Sequence, residues 1–185
     1  MSLAGKLSIN SAQTTFDLSS TAGGIYSSFD SNKIESRTNF TSIRTNNCLI
    51  SGKWCYEATV ISNGLLQIGF CQLETPFVGL NGVGDDELSM GFDGYRQCVW
   101  NNGPTKYGIF WDCGDVIGVC IDMNKGEVEY FINGKSYGAV YKKGKEGESV
   151  VYKNAKKGEN VAFFPGVSFT EGEKCYCNFG TLPFH

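Results

Sequence analysis

Short apolar and aromatic runs, separated by turns that contain glycine or asparagine, dominate the chain from residue 52 to residue 134. Within residues 127–132, Val128, Tyr130 and Ile132 alternate with the residues between them, and this period of two is typical of a half-buried antiparallel strand. No window has the longer period that an amphipathic helix requires. The pattern predicts strands near residues 53–62, 65–72, 88–93, 96–101, 115–122, 126–132, 161–168 and 173–179.

Three turns are predicted to join consecutive strands as hairpins: Asn63-Gly64, residues 122–126 and Asn133-Gly134. Asn-Gly is the strongest short hairpin signal, because both central residues of a type I′ turn have positive φ. Strands this short bury their aromatic side chains only when two sheets pack together. The sequence therefore predicts an all-β fold, an antiparallel β-sandwich.

The domain organisation is predicted from a change in composition near residue 50. Residues 1–50 are rich in serine, threonine and asparagine with scattered apolar positions, which predicts an N-terminal extension of edge strands and loops that packs on the sandwich. Residues 51–185 form the predicted sandwich domain. Within it, residues 141–159 are rich in lysine, glycine and glutamate and are predicted to be a solvated surface excursion.

Charge and cysteine content limit the possible binding partners and the cellular compartment. The net charge is −3, which does not indicate a nucleic-acid or acidic-membrane surface, and no apolar run approaches the roughly 18 residues needed to cross a bilayer. The first residues lack the basic and apolar regions of a signal peptide, so we expect an intracellular protein. Six of the eight cysteines fall in predicted strands, where a free thiol behaves as a small buried hydrophobe, and we expect all eight to be reduced.

Candidate catalytic chemistry is sparse. The one histidine is His185, which argues against Ser-His and Cys-His catalysis and against histidine-containing zinc sites. The adjacent carboxylates Asp85 and Asp86 are interpreted as an acidic, turn-capping loop, with calcium binding as the alternative. We therefore expect no enzyme activity, metal or cofactor. The rival function is a carbohydrate-binding or calcium-dependent, lectin-like sandwich that would use Trp100, Tyr107 and the acidic loop.

The order of several motifs resembles that of a SPRY domain over about residues 50–184. The matching motifs are Gly-Lys-Trp-Cys-Tyr-Glu at 52–57, Gln-Ile-Gly-Phe at 67–70, Gly-Asp-Val-Ile-Gly at 114–118, Tyr-Phe-Ile-Asn-Gly at 130–134, Phe-Pro-Gly-Val-Ser at 164–168 and Asn-Phe-Gly at 178–180. The segment from Gly82 to Trp100 and the residues after Asn178 are most similar to RING-finger ubiquitin ligases that carry one SPRY domain. The resemblance implies a bent sandwich of the concanavalin-like jelly-roll type. It also implies a non-catalytic module that binds a short segment of a protein partner, as the substrate-recruiting part of a larger E3 ubiquitin ligase.

The resemblance places partner contacts at Trp100-Asn101 and at Thr170-Glu171. Thr170 and Glu171 stand where peptide-binding relatives carry an apolar residue and a tryptophan, so the peptide specificity of those relatives is not expected here. We expect the isolated domain to be monomeric.

Residue chemistry adds to this predicted surface. Tyr95, Arg96 and Tyr107 are of the types that dominate protein interfaces, and they lie close to Trp100 in sequence. Asp85 and Asp86 complete the predicted partner-binding set. An alternative for Arg96 is a structural ion pair with Asp85, Asp86 or Asp93.

Overall fold

The structure is a computed structural model that describes residues 14–27, 32–141 and 161–185. A short 3-10 helix (Leu18–Ser20) precedes the strands. In chain order the strands are β1 (Ile25–Ser27), β2 (Lys33–Ser36), β3 (Phe40–Arg44), β4 (Lys53–Val60), β5 (Leu66–Cys71), β6 (Ser89–Asp93), β7 (Cys98–Trp100), β8 (Pro104–Lys106), β9 (Val116–Asp122), β10 (Glu127–Ile132), β11 (Lys135–Tyr141), β12 (Phe164–Thr170) and β13 (Lys174–Asn178).

The strands form two antiparallel sheets, which confirms the predicted β-sandwich. Sheet I has the order β1-β2-β13-β4-β9-β10-β11, and sheet II has the order β3-β12-β5-β6-β7-β8. Each predicted strand is present to within a few residues. Among the described residues, no helix is long and apolar enough to cross a membrane.

Two of the three predicted hairpins are confirmed, and one is wrong. β9 pairs with β10, and β10 pairs with β11 through a turn in which Asn133 and Gly134 have φ of 50° and 75°. Asn63-Gly64 instead carries the chain from sheet I to sheet II, because β4 pairs with β9 and β13 while β5 pairs with β6 and β12. The Gly64 N–H donates to Glu173 Oε2 at 2.7 Å, so a contact distant in sequence stabilises this turn.

The strands before residue 50 lie at the outer positions of both sheets. β2 pairs with β13 and is followed by β1 at the edge of sheet I, while β3 pairs with β12 at the edge of sheet II. The domain boundary at residue 50 stays a prediction. Of the predicted excursion at residues 141–159, all but residue 141 lies outside the described residues.

Aromatic side chains fill the space between the sheets. Tyr56 on β4 is fully buried, and its ring contacts Phe70 and Phe179 at centroid distances of 5.6 and 5.7 Å. The Tyr56 hydroxyl donates to the carbonyl of Gly69 on β5 at 2.7 Å. This hydrogen bond joins the two sheets inside an otherwise apolar core, where an unpaired hydroxyl would be costly.

The cysteines correct one prediction. Cys55 on β4 and Cys120 on β9 are register partners with Cα atoms 4.2 Å apart, and they form a disulfide. The expectation that all eight cysteines are reduced is therefore wrong for this pair, because their cross-strand pairing could not be seen from their separation of 65 residues. The remaining cysteines are free; Cys48 and Cys113 are exposed, whereas Cys71, Cys98, Cys175 and Cys177 are buried.

Candidate functional site

A strip of glycines shapes the outer face of sheet II. Gly166 on β12, Gly69 on β5 and Gly91 on β6 are register partners in adjacent strands. A Cβ atom at Gly91 would lie 2.2 Å from the carbonyl oxygen of Val83. The backbone of residues 82–86 therefore lies directly on the sheet, an approach that only glycine permits.

Buried hydroxyl and amide groups hold this loop in place. Ser42 and Ser168 are register partners whose hydroxyls lie 2.8 Å apart, and Ser168 Oγ accepts the Val83 N–H at 2.9 Å. Gln67 on β5 is the register partner of Ser168. It is fully buried, and its Nε2 donates to Asp85 Oδ1 at 3.1 Å. The loop is thus anchored to the sheet by polar side chains from three strands.

Asp85 and Asp86 both support the loop. Asp85 Oδ2 accepts the N–H of Gly82 at 2.7 Å, and Asp86 Oδ1 accepts the N–H of Leu88 at 2.7 Å and the hydroxyl of Ser89 at 3.0 Å. Burial raises the pKa of the Asp86 carboxyl above its ordinary value of 3.8. Within the described ranges, no group of three or more histidine, cysteine, aspartate or glutamate side chains is arranged to hold a metal ion. The carboxylates of Asp85 and Asp86 thus cap the turns of this loop.

Arg96 is held rigidly between a buried carboxylate and an aromatic ring. Its Nε donates to Asp93 Oδ2 at 2.5 Å, and its backbone N–H donates to Asp93 Oδ1 at 2.9 Å. Its guanidinium carbon lies 4.1 Å from the centre of the Trp100 ring, a cation–π contact. Of the three carboxylates considered as ion-pair partners of Arg96, it is Asp93 that pairs. Burial raises the pKa of the Asp93 carboxyl, an effect that the contact with Arg96 opposes.

Two concavities meet at Arg96. The first, called the Phe40 concavity, has a volume of about 250 Å³ and is lined by Asn39, Phe40, Leu65, Leu80, Asp85, Arg96 and Thr170. Phe40 and Thr170 are register partners, and the Thr170 N–H donates to the Leu65 carbonyl, so these residues form a continuous floor. The second, called the Trp100 concavity, has a volume of about 600 Å³ and is lined by Arg96, Gln97, Cys98, Trp100, Pro104 and Lys106.

The structure thus brings four of the predicted partner-binding residues to these concavities: Asp85, Arg96, Trp100 and Thr170. Asp86 lies beside them in the loop. Glu171 is exposed and follows Thr170 without lining either concavity. The sequence interpretation missed Phe40, Leu65, Leu80 and Lys106. No local motif marks these residues, because their proximity depends on strand register and on the path of the 82–86 loop.

Three predicted residues lie elsewhere. The Tyr107 hydroxyl donates to the Gly138 carbonyl at 2.9 Å, and its ring packs on Phe92, so this residue supports the core. Asn101 Nδ2 donates to the Ser89 carbonyl at 2.9 Å, outside both linings. Tyr95 is half exposed, and its ring centre lies 6.1 Å from that of Phe110.

Comparisons with known proteins agree on one family. The family model of the SPRY domain matches residues 53–182. The chain is 39% identical over 151 residues to the E3 ubiquitin-protein ligase RKP of Arabidopsis thaliana; the match covers 82% of this chain and 11% of that protein. The crystal structure of the SPRY domain of human HERC1 has the same fold, with a TM-score of 0.70 and 13% identity, covering 90% of this chain and 99% of that one.

Proposed function

This chain belongs to the SPRY domain family, and from that premise we propose that it binds a short segment of a partner protein at the two concavities that meet at Arg96. SPRY domains are in general non-catalytic interaction modules, and those of E3 ligases generally bind protein partners. The proposed role is therefore recognition without chemistry, and no cofactor is required for it.

One observation carries the proposal. Phe40, Asp85 and Thr170 belong to three segments distant in sequence, yet all three line the Phe40 concavity together with Arg96 and Leu80. Leu80 is 65% exposed, so its apolar side chain is accessible to a partner. An apolar floor with a few fixed polar groups is the usual composition of a binding pocket.

The setting proposed for the module is a larger E3 ubiquitin ligase, in which it recruits the substrate. The support is the 39% identity to RKP, whose name describes such a ligase and of whose length the match covers 11%. We further propose an intracellular, monomeric domain. The redox state of Cys55 and Cys120 in the cell tests this location, because disulfides are typical of oxidising compartments.

The test is a display screen of proteome-derived peptides against the purified domain, run in parallel with Arg96→Ala and Trp100→Ala. We expect one enriched motif whose affinity falls at least about fivefold in each variant, because truncation of an interface anchor commonly costs more than 1 kcal/mol. Arg37→Ala is the matched control. Arg37 also contacts a carboxylate and an aromatic ring, those of Glu35 and Tyr26, but it follows β2 in sheet I.

Thermal melts of all variants separate lost binding from lost folding. Arg96→Ala leaves the buried Asp93 carboxylate without its cation, so it is the variant more prone to unfold, and Trp100→Ala keeps the test decisive in that case. The absence of any enriched motif would refute peptide recognition by this domain. A motif bound equally well by folded Trp100→Ala and Arg96→Ala would place the binding surface elsewhere.

A further inference from the structure

The Trp100 concavity is basic, although the chain as a whole is acidic. The net charge is −3, yet the lining of this concavity contains Arg96 and Lys106 and no aspartate or glutamate. The lining also includes the partly buried ring of Trp100 and the exposed ring of Pro104. Basic groups beside an aromatic wall suit a ligand that combines negative charge with an apolar stem.

Strand register brings the lysine to the tryptophan. Cys98 pairs with Lys106 and Trp100 pairs with Pro104 across β7 and β8. Because side chains alternate along a strand, these four residues share one face of the hairpin. Lys106 is exposed and forms no ion pair with any residue that the structure describes, so its ammonium group is available to a ligand.

Arg96 is oriented in advance for the same ligand. Asp93 engages Nε, and the Trp100 ring covers one face of the guanidinium, while neither Nη atom has an acceptor among the described residues. Arginine held in this way loses little conformational entropy when it forms further hydrogen bonds. The buried Asp93 offsets the charge of Arg96, so that Arg96, Asp93 and Lys106 together carry a net charge of about one positive unit.

We propose that the Trp100 concavity is a subsite for a carboxylate side chain, an aspartate or glutamate of the partner segment, which lies between Arg96 and Lys106. One net positive charge matches a singly charged carboxylate better than a phosphate group, which carries about −1.5 to −2 at neutral pH. This inference rests on the proposed peptide recognition and adds the chemistry of one position in the motif.

The test is a charge reversal at Lys106, which is exposed and can change without loss of a buried partner. Random-peptide display against the wild type and Lys106→Glu should give motifs that agree except at one position, acidic in the wild type and neutral or basic in the variant. Lys135→Glu is the matched control, because Lys135 lies beside the Tyr137 ring on β11 of the other sheet. This control should retain the acidic position.

The affinities of three synthetic peptides complete the test: the best wild-type peptide, the same peptide with an amide in place of its acidic residue, and the same peptide with a phosphoserine at that position. Replacing its acidic residue with asparagine or glutamine should weaken binding about two- to fivefold in low salt and less in high salt, as expected for a partly exposed charge pair. Lys106→Arg should keep that preference and Lys106→Gln should lose most of it. A phosphoserine at the same position should bind no more tightly than the acidic residue.

The outcomes distinguish the two proposals. A reproducible wild-type motif without an acidic position, an acidic position unchanged in Lys106→Glu, or a clear preference for phosphoserine would each overturn the carboxylate subsite and leave peptide recognition standing. A wild-type screen that yields no motif would overturn both.

Discussion

Reduction of the Cys55–Cys120 disulfide is expected to destabilise the domain strongly. The cross-link closes a loop with a sequence separation of 65 residues. For a loop of that length, the chain-entropy model gives a loss of about 4 kcal/mol in the free energy of unfolding, mostly because the reduced unfolded chain regains its freedom. Cys55 and Cys120 are both buried against Phe131 and Phe184, so reductant reaches them mainly after local opening.

The assay combines thiol counting with denaturant unfolding. Without reductant, the native protein should show two rapidly reacting thiols, those of Cys48 and Cys113, and the unfolded protein should show six of its eight. Burial raises the pKa of Cys71 to about 12, so this thiol stays unreactive until the protein unfolds. After reduction and removal of the reductant, the unfolded protein should show all eight thiols, and reductant should lower the denaturant midpoint. Cys48→Ala, at an exposed position, is the control that leaves the midpoint unchanged.

Eight reactive thiols in the unfolded protein without reductant, together with a midpoint insensitive to reductant, would refute this reasoning. That result would restore the sequence-based expectation of a fully reduced protein. A reduced Cys55–Cys120 pair would also fit the proposed intracellular location.

Three other perturbations test the architecture around the site. Gly91→Ala should destabilise the domain by about 1–3 kcal/mol in a thermal or chemical melt, because its methyl group would displace the Val83 carbonyl; an unchanged melt would show that the 82–86 loop does not lie on the sheet. Tyr56→Phe removes the hydroxyl that donates to Gly69 and should cost about 1–2 kcal/mol in chemical denaturation, whereas a neutral effect would contradict a bond between the sheets. Burial raises the pKa of the Asp93 carboxyl above 3.8, so the folded state binds this proton more tightly than the unfolded chain, and the stability from this group falls as the pH rises through the folded pKa. Asp93→Asn lacks this titration. The difference in unfolding free energy, variant minus wild type, should therefore increase from pH 3 to pH 7 in denaturant titrations, and a decrease would mean that the ion pair with Arg96 outweighs burial.

Some residues of the proposed partner surface could be anticipated from residue type, but the others could not. Arg96 and Trp100 were predicted because their side chains commonly anchor interfaces, and the structure stacks one on the other. Tyr107 is of the same class, yet its ring packs on Phe92 in the core and its hydroxyl donates to the Gly138 carbonyl on β11. Residue type alone does not tell whether an aromatic side chain lies at the surface or in the core, since this depends on which strands become neighbours.

The local features of this protein follow from its sequence. Short apolar and aromatic runs between turn residues locate the strands, and Asn133-Gly134 forms the β10–β11 turn because both residues adopt positive φ. Three features follow only from the tertiary structure: the chain crosses between the sheets at Asn63-Gly64, Cys55 meets Cys120, and Phe40 lies beside Thr170. These features depend on pairing between strands far apart in the chain. Strand pairing is selected by burial of the whole core, and no short segment encodes it.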